Sequence, residues 1–262
     1  MQVRASLQVE CECAKIEKIN STMNRPSLFR SFLHVLLLAV PVFTLSAGSI
    51  TVPNFSFELP ALSNGANNNG GNGDTTTITG WTISAAAGNT NAGVYHPASG
   101  FTSTNPLPAP ADGNQLAYLV PDAESTSSIT TSASLGNVAV NMLYTLTVAL
   151  GNRNDNLFFD SGEYTIDLLA NGVSVAEASL AGSSIAHGTF TDLSATFISP
   201  ASGPVIGESL TIRLSASSGS PNNEGIFDNV RLTASPVPEP ATSTMIVGGI
   251  AALAWLRRRR RA

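Results

Sequence analysis

Between Gly48 and Pro236 the strongly charged side chains are eight Asp, six Glu, Arg153, Arg213 and Arg231, with no Lys. Three guanidinium groups against fourteen carboxylates leave a net charge of −11, where the whole 262-residue chain carries −5. Such a surface repels phosphate backbones and excludes nucleic acid as a partner. It favours hard divalent cations that take oxygen ligands, and outside a cell calcium is the natural one. In "GIFDNVRL", Asp228 has the parity of Val230 and Leu232, so unless a bulge intervenes it points to the apolar side, where a carboxylate needs a partner or a proton. "GNRNDNLFFDSGE" places Asn152, Asn154 and Asn156 at positions one, three and five of an EF-hand-like loop and Glu163 at twelve, but Leu157 stands where the turn requires Gly.

Aromatic side chains are the other feature with chemistry, since a pyranose ring packs its apolar face on them. Trp81, Tyr95 with His96, and Tyr118 are the candidates for such a platform, and Trp81 alternatively packs in the core. Signatures of catalysis are scarce. The chain has no His-Glu-x-x-His, Gly-x-Ser-x-Gly or Gly-x-Gly-x-x-Gly, and without Lys the domain holds no P-loop. A carboxylate pair acting on a glycosidic bond is recognised only by its spacing in three dimensions. The expectation is therefore a domain that is not an enzyme.

These residues must be positioned by strands. In "MLYTLTVALG", Tyr144, Leu146, Val148 and Leu150 alternate with Thr145, Thr147 and Ala149, the period of a half-buried strand. "EYTIDLLA", "ESLTIRLSA" and "FDNVRLT" alternate likewise, and Asn171-Gly172 joins two runs as a hairpin turn. In "VPNFSFELP", Phe55 and Phe57 read as one face of a strand and Asn54, Ser56 and Glu58 as the other. With weaker runs at 77–84, 115–120, 127–133 and 189–198 the total is about nine or ten strands. The predicted fold is all-β, a two-sheet antiparallel β-sandwich or jelly roll over 48–236, flanked by an N-terminal signal helix and a C-terminal transmembrane helix. The stretch 63–77, "SNGANNNGGNGDTTT", reads as a surface loop. Cys11 and Cys13 precede the domain, which must be stabilised by its core alone.

The chain ends carry addresses. Arg25 and Arg30, an apolar run from Phe32 to Leu45 and small residues at Ser46, Ala47 and Gly48 describe a secretory signal peptide over 23–47. Residues 1–22 read as an extension before a true start at Met23. Ala241 to Leu256 is nearly all small or apolar, about 24 Å as a helix, followed by Arg257, Arg258, Arg259, Arg260 and Arg261, which hold that end on the cytoplasmic side. Pro238-Glu239-Pro240, an apolar helix and an arginine cluster in that order resemble the PEP-CTERM sorting signal, here 237–262. The resemblance implies recognition by a membrane-embedded exosortase, transient residence in the inner membrane, and delivery to the cell surface or the medium.

An N-terminal "NFSFE", a "GW" strand and a C-terminal "DNV" strand resemble the galactose-binding-like jelly rolls of many carbohydrate-binding modules. That resemblance implies one structural calcium held by Glu58 and Asp228, which draws the chain ends together. The alternative is that Asp228 hydrogen-bonds nearby backbone and Glu58 is solvated. The expected function is an exported, non-catalytic polysaccharide- or exopolysaccharide-binding module. The alternatives are a structural or adhesive biofilm-matrix protein that self-associates through calcium, and a glycan-active enzyme.

Overall fold

The computed structural model describes residues 47–65, 77–85, 91–97, 108–121, 125–154, 159–218, 223–237, 248–250 and 257–259. The chain separates into two units, Met1–Phe43 and Thr44–Ala262, and all described residues lie in the second. The signal peptide lies almost wholly outside them, as do Pro238, Glu239, Pro240, Arg260 and Arg261. Residues 248–250 and Arg257, Arg258 and Arg259 are helical, but no helix among the described residues is long and apolar enough to cross a membrane, so the expected transmembrane helix is not seen.

Among the described residues, eleven strands form two antiparallel sheets. β1 (Gly48–Ile50), β3 (Asn91–Tyr95), β4 (Leu116–Val120), β6 (Met142–Asn152), β9 (Thr189–Ile198) and β11 (Gly225–Pro236) make sheet A in the order β3-β4-β11-β6-β9, with β1 also on β11. β2 (Trp81–Ala85), β5 (Ser125–Thr131), β7 (Gly162–Ala170), β8 (Val173–Ala181) and β10 (Leu210–Ser218) make sheet B in the order β2-β5-β10-β7-β8. The alternations read from the sequence are the inward faces. Tyr144, Leu146, Val148 and Leu150 of β6 meet Tyr164, Ile166 and Leu168 of β7 and Ile212, Leu214 and Ala216 of β10 in one buried core. Asn171 and Gly172, both at positive φ (49° and 78°), make the tight turn between β7 and β8.

Three local readings are corrected. The "NFSFE" stretch is a turn, because Asn54 sits in the left-handed region (φ 48°) and its amide side chain binds the N–H and carbonyl of Leu59 and the carbonyl of Thr79. Phe57, also at positive φ (55°), turns into the core while Phe55 stays exposed. The run 77–84 is split by Gly80 (φ 83°), leaving Ile78 in an isolated bridge before β2. β1 and β3, short and without a distinct alternation, were not among the expected strands.

The sandwich has two poles. At one, β11 ends beside the 132–141 and 199–209 connections; at the other lie residues 153–154, 159–161, 182–188 and 223–224. Tyr164 ties the sheets together near the second. Its hydroxyl donates to the carbonyl of Gly151 on β6 and accepts the N–H of Ile226 on β11 at 2.9 Å. Burial, partly offset by that N–H, pushes the phenol pKa up, and the nearby Glu224 adds to the rise. Tyr164→Phe keeps the ring and leaves both backbone groups without this partner, so it is expected to cost about 1–3 kcal/mol in urea unfolding.

Candidate functional site

Asp228 is fully buried, but it does not face the core. The pairing of β11 with β6 shifts register between Asp228 and Arg231, and Asn229 takes φ 48°. This bulge lets Phe227 and Val230 both point inward, so Asp228 shares the outer face of sheet A with Ile226. The parity reading put Asp228 on the wrong face for the reason it named, an intervening bulge.

On that outer face a loop roofs the carboxylate. Asp112 N–H donates to Asp228 Oδ2 (2.9 Å) and Asn229 N–H to Oδ1 (2.7 Å). Two residues further on, Asn114 and Gln115 N–H donate to Glu58 Oε1 (2.6 and 2.8 Å). Gln115, itself buried, spends its amide on the carbonyls of Phe57 and Pro60 and the N–H of Leu62. Glu58 and Asp228 are thus brought to one loop, 111–115, from opposite ends of the domain. Gly113 completes this fit: it lies at φ 68°, and a Cβ there would stand 2.3 Å from Glu58 Oε1.

Burial raises the Asp228 carboxyl to about 7, against the pull of its N–H donors and with a further push from the Asp112 carboxylate. Among the described residues, no group of three or more His, Cys, Asp and Glu side chains is arranged to hold a metal ion. A calcium ion at Glu58 and Asp228 would therefore take most of its oxygens from backbone and water.

Beside Asp228 the outer face is apolar. Leu116 and Ile226 are fully buried there, with Tyr95 and Phe190 packed against them from the two edge strands β3 and β9. Gly151 makes room for the Phe190 ring, which stands 2.8 Å from where its Cβ would be. Tyr118 belongs to the same face and is only 3% exposed, its hydroxyl pKa pushed up by burial and by Glu224.

The expected aromatic platform is dispersed. Trp81 is 4% exposed and packs on Phe57 with ring centroids 5.4 Å apart, which is the core alternative. His96 Nδ1 lies 2.8 Å from the carbonyl of Leu62, and its own carbonyl accepts the N–H of Gly65, so it braces the 62–65 segment. Two of the candidates lie on the candidate face, Tyr95 half-buried at its edge and Tyr118 buried within it. Phe190, Leu116 and Ile226 went unread because a face becomes visible only once strands distant in sequence are paired.

The family model described as HpiC1 cyclase matches residues 48–233. The chain belongs to the HpiC1-like family. A second model, the PEP-CTERM protein-sorting motif, matches 236–261, so the HpiC1-like domain runs into a sorting motif with two residues between the matches. Among solved structures, the Stig cyclase Fisc from Fischerella sp. TAU in complex with (3Z)-3-(1-methyl-2-pyrrolidinylidene)-3H-indole is 26% identical, with a TM-score of 0.60 over 73% of this chain and 100% of that one. A cyclase from the same organism in complex with 4-(1H-indol-3-yl)butan-2-one is 25% identical, with a TM-score of 0.58 over 72% and 98%. The carbohydrate-binding module TmCBM61 with β-1,4-galactotriose is 12% identical, with a TM-score of 0.42 over 71% and 97%. No curated protein matches the HpiC1-like chain in sequence.

Proposed function

We propose that this is an exported protein, sorted to the cell surface by an exosortase, whose HpiC1-like domain binds a small ring-containing organic molecule against the outer face of sheet A with Asp228 as proton donor. The observation that carries the reading is a water-shielded carboxyl with pKa about 7, bordered by an apolar strip from Tyr95 through Leu116 and Ile226 to Phe190. A group with its pKa at the working pH is suited to general acid chemistry, and aromatic edges suit a planar ligand. The family and the Fischerella cyclases support it; the sorting motif supports the address. The 111–115 loop covers Asp228, so a ligand reaches the carboxyl when that loop lifts, and Glu58 is its latch.

The test uses 4-(1H-indol-3-yl)butan-2-one as probe, followed by indole fluorescence and by heteronuclear NMR of the full-length protein in detergent. Saturable binding that shifts the amides of Leu116, Ile226 and Phe190, and that weakens by about tenfold in Phe190→Ala, is the expected result. Binding without those shifts, or none at about 1 mM, would sink the reading.

A second reading has its own observation. Asp112 and Asp228 are like charges on one loop contact, which a cation would relieve. Under it calcium is structural, chelation lowers Tm, and Asp228→Ala removes the chelator effect.

A further inference from the structure

Backbone bonds gather four stretches of chain at the pole where β11 ends. The N–H of Val138 bonds to the carbonyl of Glu208 (2.9 Å), and that of Asn141 to the carbonyl of Pro200 (3.3 Å). Asn171, in the β7–β8 turn, bonds through its N–H to the carbonyl of Ser209 (2.8 Å), and Val237 to that of Asn141 (2.8 Å). Among the described residues of the domain, five large hydrophobic side chains are exposed, and three belong to this pole: Val140 (46%), Val173 (68%) and Ile198 (63%). The other two, Phe55 and Leu59, lie in the turn around Asn54.

Val140 is held where it is. It stands between Val138, buried in the core, and Asn141, whose left-handed backbone (φ 52°) turns the chain. Beside it, Ala139 donates its N–H to the Tyr144 hydroxyl (2.8 Å), and its carbonyl accepts from Ser199 Oγ (2.6 Å), which in turn accepts the N–H of Met142 (2.8 Å). A buried tyrosine and a buried serine thus fix an apolar tip in water, an unfavourable placement that contact with another apolar surface would relieve.

Charge is distributed the opposite way. The stretches 132–142, 170–174, 198–209 and 234–237 hold one charged side chain, Glu208, out of the fourteen carboxylates and three guanidinium groups of the domain. The far pole carries Glu163, Arg153 paired with Glu224 (2.9 Å), and Asp160, which the buried Asn152 holds at 2.9 Å while His187 pairs with it. A domain of net charge −11 is repelled by anionic headgroups, so the pole without carboxylates is the side on which it can approach a membrane. The sequence also keeps that pole close to one. Only Pro238, Glu239 and Pro240 separate Val237 from the apolar run that starts at Ala241, a span of at most about 14 Å. The headgroup layer on one side of a bilayer is about 5–8 Å thick, so a tail seated in lipid leaves this pole at the headgroups.

We infer that this pole is a membrane-contact surface: Val140, Val173 and Ile198 settle among the headgroups of the bilayer that holds the apolar tail, and the domain docks with its charged pole outward. The inference rests on the sorting reading in one respect, that the 241–256 run enters lipid.

For the test, full-length protein with labelled Val and Ile methyls is reconstituted in phosphatidylethanolamine–phosphatidylglycerol nanodiscs that carry nitroxide-labelled headgroups. Co-flotation with vesicles of the same lipids is measured in parallel. Strong relaxation enhancement is expected at the methyls of Val140, Val173 and Ile198, and weak enhancement at Ile185 near the far pole. In the double variant Val140→Asp, Ile198→Asp, both at exposed positions, the enhancement at Val173 is expected to fall at least about fivefold while flotation persists. Flotation without enhancement at the three methyls, equal enhancement at Ile185, or a double variant that keeps the enhancement of the parent would overturn the contact and leave the sorting reading standing. Failure to float would overturn both. Contacts between differently labelled copies at the same methyls, without enhancement from the lipid, would assign the pole to self-association and overturn the contact as well.

Discussion

Removing the charge-forming capacity of Asp228 is expected to abolish a fall in stability between about pH 4 and pH 7. The folded carboxyl titrates near 7, well above its ordinary 3.8, so over that window the folded state binds more protons than the unfolded state. Its contribution is fully present below about pH 4, declines as pH rises, and is lost once pH passes the folded value. Three units correspond to about 4 kcal/mol between the two ends, or on the order of 10 °C in Tm for a domain of this size. The measurement is a Tm-versus-pH profile with chelator, for the parent and for Asp228→Asn. Subtracting the two curves isolates this group from the other carboxylates, which contribute to both. A difference curve flat from pH 4 to 7 would mean that the Asp228 carboxyl is ionised throughout. A curve that is sloped in chelator and flattened by added calcium would favour the cation reading over the proton donor.

Phe57→Ala should be the most damaging single truncation at the N-terminal edge, costing about 3–5 kcal/mol in urea unfolding. The ring is fully buried and tilted against Trp81, and the backbone beneath it already holds a left-handed conformation (φ 55°) that a residue with a Cβ adopts only when its surroundings enforce it. Deleting the ring removes both the filling and the reason for the turn. The same change also loosens the start of the clamp, since the Phe57 carbonyl accepts from Gln115 and Glu58 follows directly. A loss under about 1 kcal/mol would show that the turn is held by Asn54 alone.

How much of this was legible beforehand depends on how local each signal is. The strands with strict alternation, such as β6 and β10, appear where the sequence puts them, because period two and a buried face are the same fact seen twice. The "NFSFE" turn was misread because Phe55 and Phe57 mimic alternation, while the deciding interaction reaches from Asn54 to Thr79. The meeting of Glu58 and Asp228 on one loop was legible only through resemblance; the loop that joins them, 111–115, lies far from both in sequence. Asn152 and Asp160 stood in plain sight within one Asn/Asp-rich stretch, yet that stretch read only as an imperfect EF-hand-like match with Leu157 where the turn needs Gly. Only the packing of Phe159 under Gly162 and Gly182 shows that Asn152 faces inward.

The first and last strands of the domain carry a mechanical consequence. Gly48 lies opposite Ala234 in the β1–β11 pairing, and the N–H of Val237 is still bonded to the carbonyl of Asn141. The two described ends of the domain, Gly48 and Val237, therefore lie side by side at one pole, so a force that draws them apart opens the β1–β11 pairing bond by bond from Gly48 instead of shearing it along its whole length.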